Sequence, residues 1–172
     1  MTTQQLKYDW VTGGLTRWPL AMAASQKFVD RGGKFVDIAS GYGTVVDANS
    51  SYIFGWAEVP GHASGYDYYT TSATAGAEEL SVIISPDAVF KMPVAYDGSS
   101  YTVNYAYTVI GTAHDIYRDG TSYVQFADLT NSTDDLLIVL GGKAASAVAA
   151  VTGYTSDGYA YVRPNPAVMI AA

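Results

Sequence analysis

The chain has 172 residues, 49% of them hydrophobic, which is enough to bury one good core or two small ones and excludes disorder throughout. A net charge of −7 opposes nucleic-acid binding by the main body, because that affinity rests on neutralising phosphates. With no cysteine there is neither a disulfide framework nor a thiolate metal site, so stability must come from packing or assembly.

Fifteen tyrosines and seventeen glycines, against only 15% charged residues, favour strands and tight turns over helices that spend Lys and Glu on their wet faces. The expected fold is all-β, a small antiparallel barrel or sandwich built as one body or as two β lobes, with an extended N-terminal arm. Charge is unevenly spread. Residues 1–40 hold Lys7, Arg17, Lys27, Arg31 and Lys34 against Asp9, Asp30 and Asp37, a balance of +2 that leaves −9 for the remainder. A basic front end suits an acidic protein surface, or is ordinary solvated charge. The longest aliphatic run, 136–140, is far short of the roughly 20 residues that span a bilayer, so no membrane association is expected. Residues 1–5 are polar and no apolar stretch follows, which reads as a protein made in the cytoplasm without a signal peptide.

Residues 1–26 are read as the arm. They carry Trp10 and Trp18 with Gly13-Gly14 between them and Pro19 after, and no periodicity is sustained. Rings this large are costly to leave in water, so they either fold back on their own domain or anchor the arm on a neighbouring subunit. Residues 20–28 read as a short helical turn or a strand lead-in.

Residues 27–76 are read as a first sheet and its loop. Three short apolar runs at 35–38, 44–46 and 52–59 lie between turns at Gly32-Gly33, Gly41-Tyr42-Gly43 and 47–51, the punctuation of an antiparallel meander. Residues 60–76 are rich in Gly, Ser, Thr and Tyr and read as a long loop, in which Tyr66, Tyr68 and Tyr69 form a contact surface or merely link strands.

Residues 77–172 are read as the remaining β domain or a second lobe. Leu80, Val82 and Ile84 alternate with Ser81, Ile83 and Ser85, and 89–94 follows a Pro86-Asp87 turn, with Pro93 confining its end to an edge. An Asp97-Gly98 turn leads to the clearest alternation in the chain, Tyr101, Val103, Tyr105, Tyr107 and Val109 on one face. Asp119-Gly120 turns 115–118 back into 123–126. Residues 136–140 form an apolar strand that Gly141-Gly142 terminates, 144–151 suits helix or strand, and 159–162 is a last strand before Pro164 and Pro166.

No catalytic constellation emerges, and no enzymatic activity or cofactor is expected. His62 and His114 have no second histidine at ligand spacing, no G-x-S-x-G elbow is present, and His114-Asp115 adjacency is not triad geometry. Gly41-Tyr42-Gly43 and Gly141-Gly142-Lys143 lack the rest of a nucleotide loop. Asp128, Asn131, Asp134 and Asp135 offer oxygens at short spacing to calcium, but do not match an EF-hand and read as an Asx-rich connector. The tyrosines also suit a sugar-stacking platform with Asp67 or Glu58 orienting hydroxyls, or a subunit interface.

Residues 21–59, with their Gly-Gly turn, Phe-Val-Asp-Ile strand, Gly-rich turn and closing Phe54-Gly55-Trp56-Ala57, resemble the small β domain of tailed-phage capsid decoration (cement) proteins. Residues 134–142 and 162–166 are similar to phage structural proteins of this kind. The resemblance implies a non-enzymatic virion protein on the outer capsid surface, a homotrimer that bridges and stabilises major capsid protein subunits, with no direct contact to nucleic acid. It also implies that the arm reaches a neighbouring capsid sheet. The residues assigned to partner binding are Trp10, Arg17, Trp18, Leu20, Tyr66, Tyr68 and Tyr69. The alternative is a carbohydrate- or receptor-binding β module on a virion head or fibre.

Overall fold

The computed structural model describes residues 9–29, 34–60, 68–95, 106–120, 123–144 and 158–170. Among them the chain forms β1 (Asp9–Thr12), β2 (Arg17–Ala21), β3 (Lys27–Val29), β4 (Lys34–Ala39), β5 (Tyr42–Val45), β6 (Gly55–Glu58), β7 (Tyr68–Thr70) and β8 (Glu79–Ile83). They are followed by β9 (Val89–Ala95), a 3-10 turn at Tyr107–Val109, β10 (Ala113–Arg118), β11 (Gln125–Asp128), β12 (Leu137–Lys143) and β13 (Tyr159–Pro164). The fold is all-β and predominantly antiparallel.

Strands β9, β11, β10, β12 and β13 hydrogen-bond in that order, and β13 returns to β9, so the five close into a small barrel. β9 and β11 run parallel; the other neighbours are antiparallel. Closure removes the unpaired edges a flat sheet would expose. Pro93 lies inside β9, opposite Tyr159 of β13. On the other side of β9, Lys91 pairs with Asp9 of β1 and Val94 with Ala127 of β11.

The second sheet has the order β2-β8-β6-β4-β5, and it curls until its outer strands meet at a bridge between Met22 and Gly43. β3 and β7 form a separate two-stranded ribbon. Alternation along the second sheet sends Phe35, Trp56 and Ile83 into one core and Val36, Ala57, Leu80 and Val82 into another. The first core is shared with the barrel: Trp56 stacks on Phe90 at 4.4 Å, and Phe35 meets both rings edge-on at 4.8 and 5.3 Å. Within the second sheet Gly55 lets β6 lie close to β8, because a Cβ there would lie 2.4 Å from the carbonyl oxygen of Ile83.

Both ends of the chain tie the sheets together. β1 and β2 run antiparallel to β9 and β8, with Asp9 opposite Lys91 and Arg17 opposite Ile83, and the β1–β9 register shifts by one between Trp10 and Thr12. The bend occurs at Gly13, whose φ of 94° and contact with the Asp87 carbonyl admit no side chain. Near the other terminus, Val168 and Ile170 exchange backbone hydrogen bonds with Ile53.

Several sequence expectations change. Residues 9–21 take the first of the two courses open to the arm and fold back on their own molecule, β1 pairing with β9 and β2 with β8; residues 1–8 lie outside the described residues. The 35–59 region is not a sequential meander, because β6 pairs with β4 rather than β5. β8, within the residues read as the remaining β domain or second lobe, is a central strand of the second sheet. Gly141-Gly142 does not end β12, which absorbs an irregularity between Val139 and Gly141 and continues to Lys143. Of the 101–109 alternation, 101–105 lie outside the described residues and 107–109 form a 3-10 turn. Its cause is local: the Ile110 N–H bonds back to Tyr107, the Thr112 hydroxyl bonds to the Val109 carbonyl at 2.6 Å, and Gly111 (φ 81°) redirects the chain toward β12. Tyr107 is therefore exposed while Val109 packs on the core.

Candidate functional site

The outer side of the N-terminal limb is the most apolar exposed stretch near the predicted partner-binding residues. Val11, Leu15 and Trp18 are 43%, 38% and 54% exposed; Val11 lies in β1 and Trp18 in β2, and Leu15 lies in the segment between these strands. Leaving half an indole in water forgoes on the order of 1 kcal/mol of burial, a cost that a contact made elsewhere would offset.

Strand parity decides how this limb can be met. Thr16 and Met22 both bond across to β8, through Ile84 N–H to Thr16 carbonyl at 2.9 Å and Met22 N–H to Glu78 carbonyl at 2.9 Å. Hydrogen-bonding direction alternates along a strand, so Arg17 and Pro19 turn their backbone groups to the open edge. Pro19 has no N–H to offer there, which blunts the edge against strand addition. Contacts here run through side chains.

Beside Trp18, the Arg17 guanidinium donates two hydrogen bonds to Glu58 at 2.6 and 3.0 Å, and the Ser81 hydroxyl donates to the same carboxylate at 3.0 Å. Bonding to Arg17 holds the Glu58 pKa below its ordinary value. Arg17 is thus paired within the chain and Glu58 is not free to orient a sugar. Leu20, assigned to the partner surface from sequence, is buried in the second core, because the strand's alternation turns it inward. Trp10 pairs with Phe90 through its backbone.

The tyrosine segment divides. Tyr66 and Asp67 lie outside the described residues, as does His62, while Tyr68 and Tyr69 belong to β7 rather than to a loop. Tyr69 is partly buried, its ring 6.4 Å from that of Phe28. Of the three tyrosines, Tyr69 is therefore spent on the second core.

The Asx-rich connector is held by a residue that the sequence reading did not single out. Asp115, buried in β10, accepts backbone N–H groups of Thr133, Asp134 and Asp135 at 3.0, 3.0 and 2.8 Å. Asp128 caps Thr130, and Asn131 caps Thr133. Among the described residues no group of three or more His, Asp or Glu could hold a metal ion. His114 bonds Thr112 through Nε2 at 2.8 Å, and its Nδ1 is buried without a hydrogen bond among the described residues.

A second cluster joins the β3–β7 ribbon to the barrel. The Lys27 amino group donates to the Tyr123 hydroxyl at 3.0 Å and lies 4.5 Å from the centre of that ring, while the Arg118 guanidinium lies 5.3 Å from the same centre. Arg118 also donates to the Lys27 carbonyl at 3.3 Å. Lys34 is wholly buried nearby, and burial, aided by the charge of Arg118, pushes its pKa well below the ordinary lysine value. Burial likewise lowers that of Arg118, against the opposing influence of Asp47. No sequence motif marks this cluster, because its members come from distant strands.

A scan against family models finds no match, and no curated protein and no solved structure matches the chain.

Proposed function

We propose that the protein is a structural virion component that binds the outer surface of a tailed-phage capsid and stabilises it by bridging major capsid subunits. The observation that carries this reading is the exposed Trp18 on a backbone paired to β8, with Val11 and Leu15 also exposed in the same limb. A preordered aromatic anchor loses little conformational freedom on docking, which favours a protein surface as its partner. The acidic charge of the chain disfavours a polyphosphate in that role. The likeness of residues 21–59 to decoration proteins supplies the identity of the shell, and repetition on a lattice lets each contact be weak.

Side-chain docking replaces the strand exchange that a free arm would make, since Pro19 blunts the open edge of β2. Removing residues 1–19 would strip β1 and part of β2 from their sheets, so point substitution is the cleaner test. The wild-type chain is expected to co-sediment with expanded shells of the phage that encodes it, and to sediment alone as a trimer. Trp18→Ala is expected to lower occupancy at least tenfold with the fold intact. Full occupancy by Trp18→Ala, or no attachment of the wild type, overturns the proposal.

A further inference from the structure

The seam between the sheets gathers positive charge in a chain that is negative overall. Arg118 ends β10, Lys27 opens β3, and both lie over or beside the Tyr123 ring on the hairpin that joins β10 to β11. Among the described residues no carboxylate pairs with Arg118, and its Nε is buried without a hydrogen bond. Among the described residues it donates to the Lys27 carbonyl at 3.3 Å, one bond of the five that a guanidinium can make.

The ring between these cations is held in an unusual backbone state. Tyr123 has φ 63°, the left-handed region that bulky residues seldom adopt, and two bonds lock it there: Tyr123 N–H to the Asp119 carbonyl at 2.8 Å and Asp119 N–H to the Val124 carbonyl at 2.9 Å. Local strain of this kind gathers where a side chain is being aimed at a ligand. Lys27, Arg118 and Tyr123 all remain partly exposed, so the cluster can be reached from solvent.

We propose that the Arg118 guanidinium and the Lys27 amino group, gathered around the Tyr123 ring, form a binding site for an oxyanion of carboxylate or phosphate type. A guanidinium presents parallel donors that match two oxygens of such a group, and the ammonium adds a point charge. Lys34 beneath and Asp47 nearby set the field: one deepens the attraction when charged, the other limits it. This site stands apart from the Trp18 limb and does not depend on the capsid reading.

Thermal unfolding of the full chain near neutral pH, in inorganic phosphate, in acetate and in chloride at matched ionic strength, tests the site. Phosphate, acetate or both are expected to raise the midpoint over chloride by about 3 °C or more, with the more effective anion naming the source. Arg118→Gln and Lys27→Gln are each expected to remove at least half of that rise; if one does not fold, the other decides. An equal rise in wild type and variants marks a general salt effect and overturns the site, as does no rise in the wild type.

Discussion

The side-chain amide of Gln125 is bonded to both backbone groups of Phe35. The Phe35 N–H donates to Gln125 Oε1 at 2.9 Å, and Gln125 Nε2 donates to the Phe35 carbonyl at 2.9 Å and to the Val46 carbonyl at 2.8 Å. A barrel residue thus stands in for a strand partner on the second sheet, and it is wholly buried. Gln125→Ala is expected to cost about 2–4 kcal/mol, because buried backbone groups lose their partners, and urea midpoints measure it. Gln125→Glu puts a carboxylate against two carbonyls. Its buried acid has a raised folded pKa, so the protonated form, which can still donate, is favoured at low pH. The deficit relative to wild type is expected to shrink as pH falls from neutral toward 4, in urea titrations at several pH values.

Asp115→Asn keeps one acceptor oxygen but turns an NH2 toward backbone donors of the connector. A loss of about 1.5–3 kcal/mol is expected, since charge-assisted bonds to N–H groups are the stronger kind. Hydrogen exchange locates it: the amides of Thr133, Asp134 and Asp135 should exchange faster than those of β13.

Trp18→Ala separates surface from fold. With the indole 54% exposed and its backbone paired to Val82, the stability change is expected to stay below about 1 kcal/mol while shell binding falls. Differential scanning calorimetry beside co-sedimentation reads both.

Lys34 and Glu58 give opposite ends of the pH profile. The folded pKa of Lys34 lies below the ordinary 10.5, so the unfolded chain binds more protons between the two values. Stability attributable to this group is expected to rise with pH through that window, and Lys34→Met should flatten the alkaline slope in urea titrations. The folded pKa of Glu58 lies below the ordinary 4.5, so its contribution is complete above 4.5 and is lost as pH falls through the folded value. Glu58→Gln should remove a small part of the acid slope, small because the pair with Arg17 is exposed.

The sequence by itself determined the all-β class, from short apolar runs between glycines, and the approximate positions of β4, β8, β9 and β13; burial alternates cleanly along β13, whereas β11, read at 123–126, lies at Gln125–Asp128 and is buried throughout. Short-range turn chemistry was equally legible: Asp119-Gly120 lies between the antiparallel strands β10 and β11, and the Asx-rich connector is held by side chain to backbone bonds. Only the tertiary structure decided strand order, the closure of the barrel by β13 against β9, and the fate of residues 9–21. These depend on contacts between residues far apart in the chain, which local propensity does not encode. The same reason hid Gln125, Asp115 and the Lys27–Arg118–Tyr123 cluster: each acquires its role from a partner that lies near it only after folding.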